Sequence, residues 1–278
     1  MAKNMKEQRR KKAKTMAQSA DRHKLYEQSV QDPALECKFI RKTFRKLRDR
    51  PPRLLREDFC GTAAVCCEWA RHSDKNTAIG VDIDADVLEW GRQHNLSRLK
   101  PDDRVRVRLM QEDVRTVQTP EPSDVILAMN FSYMFFKTRE KLGGYFRAVR
   151  EGLADDGVFF MDAFGGYEAF QEIREKTRHK HFDYIWEHAS YNPINGDMTC
   201  HIHFRFPDGS KLKKAFTYTW RLWTLPELQE LLIEAGFARV TVYWEEVDEK
   251  TGDGTGVYSP ATVGAADPGW VCFIVAEK

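Results

Sequence analysis

Residues 54–63, Leu54-Leu55-Arg56-Glu57-Asp58-Phe59-Cys60-Gly61-Thr62-Ala63, decide the fold. A short apolar start runs into two acids and a turn with a single glycine. Helix-forming residues follow, among them Ala63, Ala64, Val65, Cys66 and Trp69. A strand that ends in a polar turn and hands over to a helix opens an α/β alternation. The helix is expected from Thr62 to about His72.

The alternation continues downstream. Residues 77–82 (TAIGVD), 104–109 (RVRVRL), 124–130 (DVILAMN) and 158–162 (VFFMD) read as strands. A helix is expected over Asp84–Asn95. Another, capped by Thr138, has Leu142, Tyr145, Phe146, Val149 and Leu153 as its inner face. After residue 163 the pattern changes. Pro207-Asp208-Gly209-Ser210 separates two alternating runs, with Ile202, Phe204 and Phe206 sharing one face and Phe216, Tyr218 and Trp220 another. This reads as an antiparallel β insertion at about 164–223. The α/β core resumes at Thr224-Leu225-Pro226-Glu227, a capping box. Two last strands, 239–244 and 270–275, have no helical crossover between them and are expected to be antiparallel to each other. The Gly-, Asp- and Thr-rich stretch between them reads as a mobile loop.

Upstream, residues 21–52 read as a helical arm interrupted at Pro33 and stopped by Pro51-Pro52. Residues 1–20 read as a basic disordered tail; positions 1–14 hold seven Lys or Arg and one acid. The tail leaves a solubilising role, a nucleic-acid contact and a nuclear address open. Residues 53–278 form the expected main domain. The net charge of +2 excludes a polyanion binder by bulk charge. No apolar run is long enough to span a membrane, so no membrane partner is expected. The six cysteines form no Cys-x-x-Cys pair, which points to reduced thiols and a cytoplasmic location. His201-x-His203 and His179-x-His181 lack accompanying ligands at metal-site spacing, and no metal is expected.

Open α/β sheets bind ligands at the carboxyl ends of their strands. The ends here carry Glu57-Asp58, Asp82, Glu112-Asp113 and Asn130-Phe131-Ser132-Tyr133. A dinucleotide site wants Gly-x-Gly-x-x-Gly, whereas only Gly61 is present in the first turn. An adenosine ligand with an amino-acid end and no pyrophosphate fits better. Asp82 suits ribose hydroxyls, Asp113 the adenine amino group, and Gly61 a close backbone approach.

Residues 54–162 and 224–276 resemble the class I S-adenosylmethionine (SAM)-dependent methyltransferases. The resemblance lies in Glu57 at the first-motif acid, Cys60-Gly61-Thr62-Ala63 against Cys-Gly-Thr-Gly, Gly80-Val81-Asp82, Gln111-Glu112-Asp113-Val114, and Asn130-Phe131-Ser132-Tyr133. Phe59 and Ala63 depart from the usual glycines. The resemblance implies a Rossmann-like, doubly wound seven-stranded sheet with an antiparallel last strand. It also implies SAM as cofactor, with S-adenosylhomocysteine as product. Cofactor contacts are then expected from Arg56, Glu57, Cys60, Gly61, Thr62, Asp82, Ile83, Asp113, Val114 and Asn130, and candidate bases are Tyr133, Asp162 and His203. The expected acceptor is a small molecule, through O or N, with the insertion's aromatics as pocket wall or homodimer face. Two alternatives stand: an RNA or protein methyltransferase using the basic arm, and a non-catalytic SAM-binding regulator.

Overall fold

The computed structural model describes residues 14–248, 250–252 and 254–278. The tail expected at residues 1–13 lies outside them.

The chain enters through three helices, α1 (Met16–Ser19), α2 (Arg22–Val30) and α3 (Pro33–Arg48). Each starts at a side-chain cap: Thr15, Asp21 and Asp32 accept hydrogen bonds from the first-turn amides. Pro33 does not kink a continuous helix; it opens α3, where its missing N–H costs nothing. Residues 15–19, expected within the disordered tail, instead form a capped turn of helix. The amides of Met16 and Ala17 donate to Asp208 (2.8 Å) and to the Ser210 hydroxyl (3.0 Å) at the tip of the β insertion.

The alternation then runs β1 (Leu54–Asp58), α4 (Ala64–Arg71), β2 (Thr77–Asp82), α5 (Ala85–His94), α6 (Pro101–Arg104), β3 (Val107–Gln111), β4 (Ser123–Ala128), α7 (Arg139–Gly152) and β5 (Leu153–Gly165). The insertion supplies β6 (Arg174–Arg178), β7 (Asp183–Tyr191), β8 (Asp197–Arg205) and β9 (Lys211–Arg221). The chain closes with α8 (Leu225–Glu234), β10 (Arg239–Val247), β11 (Gly254–Ala261) and β12 (Trp270–Glu277). The capping box at Thr224 and Glu227 is formed as expected.

The main sheet has the order β11-β10-β12-β5-β4-β1-β2-β3. Strands β1 to β5 pair in parallel; β12 is antiparallel to both β5 and β10. The sheet has eight strands rather than seven. The extra one, β11, pairs antiparallel with β10 and occupies the stretch read as a mobile loop. Strand order reverses between β1 and β4, which puts the crevice for a ligand at their carboxyl ends. The insertion is a separate antiparallel sheet, β6-β7-β8-β9.

Apolar residues cover both faces of the main sheet. Phe39, Ile40, Phe44 and Trp69 pack on one side; Tyr145, Phe146, Leu228 and Leu231 pack on the other. A third cluster joins Leu25 of α2 to Phe182, Ile202, Phe204 and Phe206 of the insertion. The arm therefore packs on the insertion as well as on the main domain.

Strand alternation sends Arg56 and Asp58 to the same side of β1. Both are buried, and they form a two-bond ion pair (2.8 and 3.0 Å), with the Tyr145 hydroxyl donating to Asp58 at 2.9 Å. Arg56 is only 1% exposed, so it is a core residue and not the cofactor contact expected from its position. Removing it strands the Asp58 charge in the core. We expect Arg56→Ala to lower stability by about 3–5 kcal/mol, and the Arg56→Ala/Asp58→Ala double variant to recover part of that loss. Urea unfolding followed by circular dichroism checks this; a loss below about 1 kcal/mol would be inconsistent with an intact buried pair.

Candidate functional site

The turn after β1 has three residues with left-handed backbone: Phe59 (φ 57°), Gly61 (φ 52°) and Ala63 (φ 59°). For the two non-glycines this costs about 1–2 kcal/mol each. Hydrogen bonds hold the turn against that cost. Cys60 N–H donates to Val81 O at 3.0 Å, Gly61 N–H to Asp82 at 2.8 Å, and Ala63 N–H to Cys60 O at 2.8 Å. Glu57 accepts from the Cys66 amide at 3.1 Å, at the start of α4. From α2, Glu27 accepts from the Thr62 hydroxyl and the Asn95 amide, each at 2.6 Å. Gly91 completes the fit: a Cβ there would lie 2.6 Å from the Thr62 carbonyl.

The β4 end is held differently. Asn130 (φ 56°) and Phe131 (φ 58°) are consecutive left-handed non-glycines. Their amides donate to the two oxygens of Asp162, on β5, at 2.8 and 2.9 Å. Asp162, expected as a candidate base, spends one lone pair of each carboxylate oxygen on these amides and holds the β4 end in place.

These turns open onto a cavity of about 1040 Å³, at the upper end of the ~300–1,000 Å³ usual for small-molecule sites. Its floor contains Cys60, Gly61, Thr62, Asp82, Ile83, Asp113, Val114 and Asn130, so eight of the ten expected cofactor residues meet there. Glu57 lies beneath the turn and does not line the cavity; Arg56 does not either. Asp82 uses one oxygen for the Gly61 amide and the other for the Asp84 amide. Lone pairs remain on both for further donors. Beside it Ile83 is 70% exposed, and Phe135, across the cavity lining, is 66% exposed. Such bare apolar surface in a cavity suits a flat ring. Asp113 is gripped by the Arg115 guanidinium, which lowers its pKa below the ordinary 3.8. The donors and surfaces fit an adenosine-type ligand with an amino-acid end.

The roof comes from α2 and β9. Arg22, His23 and Tyr26 line the cavity from the arm, and Phe216, Tyr218 and Trp220 from the insertion. The Tyr26 and Phe216 rings lie 5.0 Å apart and close the roof. Sequence reasoning missed these arm residues: only the tertiary fold brings α2 over strand ends far along the chain. Burial lowers the pKa of His23, the single histidine among the described cavity-lining residues.

Two other expected bases also lie elsewhere. Tyr133 is fully buried in the core, where desolvation raises its pKa well above 10. His203 bonds Glu187 at 2.7 Å and accepts from the Lys214 amide at 3.1 Å, outside the cavity. Alternation along β8 explains this: Ile202 and Phe204 face the arm, so His203 faces away.

No protein-family model matches the chain, and no curated protein matches it in sequence. Its structure is similar to that of an S-adenosylmethionine-dependent methyltransferase from Clostridium acetobutylicum, with TM-score 0.67, 17% identity, 91% of this chain and 96% of the other covered. It is similar to SAM-bound CalS10, an amino pentose methyltransferase from Micromonospora echinaspora, with TM-score 0.64, 16% identity and coverage of 92% and 96%. It is also similar to the sugar N-methyltransferase KedS8 from a Streptoalloteichus species, with TM-score 0.62, 16% identity and 93% of each chain covered.

The buried carboxyls give the site a pH dependence. Burial raises Asp162 from 3.8 to about 7, against the lowering effect of the Phe131 and Asn130 amides. Burial likewise raises Glu57 from 4.5 to about 7. Both bind protons more tightly folded than unfolded. Their contribution to stability is full below the unfolded values and is lost as pH rises through about 7. Urea unfolding of wild type and Asp162→Asn between pH 5 and 8 checks this. The stability difference, wild type minus variant, is expected to shrink with rising pH; a difference that grows would contradict it. The chain has the doubly wound fold of the class I SAM-dependent methyltransferases.

Proposed function

We propose that the chain is an enzyme that carries the sulfonium methyl of SAM to an O or N atom of a small molecule. The observation that carries this reading is the succession Gly61, Asp82–Ile83, Asp113–Val114 and Asn130 along one cavity floor, at four consecutive strand ends. Cys60, Gly61 and Thr62 face the amino-acid portion. Asp82 accepts from the ribose hydroxyls. Ile83 and Val114 pack against adenine, and Asp113 accepts from its amino group. Arg22, which lines the cavity, pairs with the carboxylate of the amino-acid end. Methyl transfer is an in-line displacement with a good leaving group, so holding acceptor and sulfonium in line supplies much of the rate. The enclosing roof of α2 and β9 suits a small acceptor, and two of the similar structures are an amino pentose methyltransferase and a sugar N-methyltransferase. Six buried, free cysteines fit the proposed cytoplasmic location.

Calorimetry is expected to show SAM and S-adenosylhomocysteine binding without added metal. Asp82→Ala is expected to weaken both by more than about tenfold, because it removes the ribose acceptor and loosens Gly61. Absence of binding at high micromolar concentration sinks the reading; unchanged affinity in the variant moves the site.

One observation favours RNA as the acceptor instead. The insertion carries a surface lined by Arg178, His179, Lys180, His181 and Arg205, and α1 docks on the insertion tip through the Met16 and Ala17 amides. On that reading RNA binding is strong, falls steeply with salt and is lost on deleting residues 1–14. Weak binding that is insensitive to the deletion leaves the small-molecule reading.

A further inference from the structure

A second cavity of about 260 Å³ adjoins the first, and the two share Tyr26, Asn130, Tyr218 and Trp220. Aromatic rings dominate its wall. Tyr26, Phe131, Tyr184, Trp186, Tyr218 and Trp220 all contribute. The Tyr218 and Trp220 rings stack at 4.4 Å, with Trp186 5.9 and 6.1 Å from them and Phe131 6.3 Å from Trp220. Tyr26 from the arm and Tyr218 from the insertion line both cavities and so form the boundary between them. Glu175 is the single carboxylate among the described residues of the wall. Among the described residues no lysine, arginine or histidine lines it.

This composition has a definite electrostatic sense. Aromatic faces carry negative potential and attract cations. Glu175 adds a full negative charge, and no cation in the wall opposes it. A hydroxyl acceptor would need a base as it reacts, and the one carboxylate among the described wall residues, Glu175, is exposed at the chamber's edge. An amine needs only to lose a proton. Resting on the methyltransferase reading of the larger cavity, we propose that this chamber is the acceptor site and that the acceptor is an aliphatic amine, held as a cation by the rings and Glu175.

The chemistry balances without a further reagent. The bound ammonium releases one proton to water at the open, Glu175 side of the chamber. The nitrogen lone pair forms the N–C bond to the methyl carbon as the C–S bond breaks, and the sulfur keeps that electron pair. The positive charge passes from sulfonium to product nitrogen, leaving S-adenosylhomocysteine neutral at sulfur. Substrate and product nitrogen are both cationic in water, so the same rings accommodate each.

The test compares choline with 3,3-dimethylbutan-1-ol, its neutral isostere, by ligand-observed NMR titration of the full chain. Choline is expected to bind at least about fivefold more tightly. Glu175→Gln and Trp186→Leu are each expected to weaken choline by about threefold or more and to leave S-adenosylhomocysteine affinity within about twofold by calorimetry. Equal affinity for choline and its isostere overturns the proposal, as does choline binding that ignores both variants. Glu175 is exposed on β6, so its variant decides the matter if Trp186→Leu does not fold. Choline preference without S-adenosylhomocysteine binding supports a cation chamber and removes the cofactor reading. S-adenosylhomocysteine binding without choline preference overturns the amine inference alone.

Discussion

Two backbone amides converge on one buried carboxylate at the centre of this structure. Asn130 and Phe131 both sit in left-handed backbone, where neither gains the freedom of glycine. Asp162 takes one amide on each oxygen and pins the β4 end to β5. The strain of such residues persists only where the surroundings over-determine them. Here they do, and both cavities depend on it. Asn130 borders the two chambers, Phe131 faces the smaller one, and the turn Ser132–Phe135 carries Phe135 to the larger one. The cost is a carboxyl kept out of water, which is why its pKa sits near 7.

The same economy shapes the first turn. Left-handed backbone without glycine at Phe59 and Ala63 brings a side chain where a glycine-rich loop has none. Phe59 lines the cavity, and its ring lies 6.0 Å from that of Phe136 and 5.7 Å from that of Tyr145. Tyr145 in turn donates to Asp58, partner of Arg56. The departure from glycine is therefore tied into the buried ion pair below the turn. Asp82 and Glu57 accept backbone amides at the two ends of the turn, and Glu27 accepts the Thr62 hydroxyl.

Much of this was legible in the sequence, and the failures have physical causes. Strands β2, β4 and the second half of β5 are buried on both faces and read as apolar runs, whereas β1 has only Leu54-Leu55 before three charged residues and is legible from the turn and helix that follow it. Helix α8 announced itself by its capping box. The floor residues Gly61, Asp82, Asp113 and Asn130 were legible because strand ends in an open sheet are where ligands sit. Strand β11 was not: it is an edge strand, half exposed, rich in glycine, and held by backbone pairing to β10. Arg56 misled because its charge suggested a ligand, although the period of two already put it beside Asp58. Tyr133 and Asp162 stand at the right strand ends but point into the core or at backbone amides. The roof was illegible because Arg22, His23 and Tyr26 act through a tertiary contact.

That contact explains why arm and insertion belong to one device. Neither closes a cavity alone: α2 brings Tyr26 and Leu25, and the small sheet brings Phe216, Tyr218 and Trp220. Apolar packing between them, around Leu25, Phe204 and Phe206, holds the roof together. Asp21 accepts from the Trp90 indole at 2.9 Å, and Glu27 grips Thr62, so the same helix is anchored to the main domain through polar contacts. Helix α2 thus meets the insertion through Leu25 and Tyr26, the first turn through Glu27 and α5 through its cap Asp21, so one short helix forms part of the wall of both cavities. Because Tyr26 lines both chambers while Glu27 holds Thr62, the placement of this one helix sets a wall of each chamber.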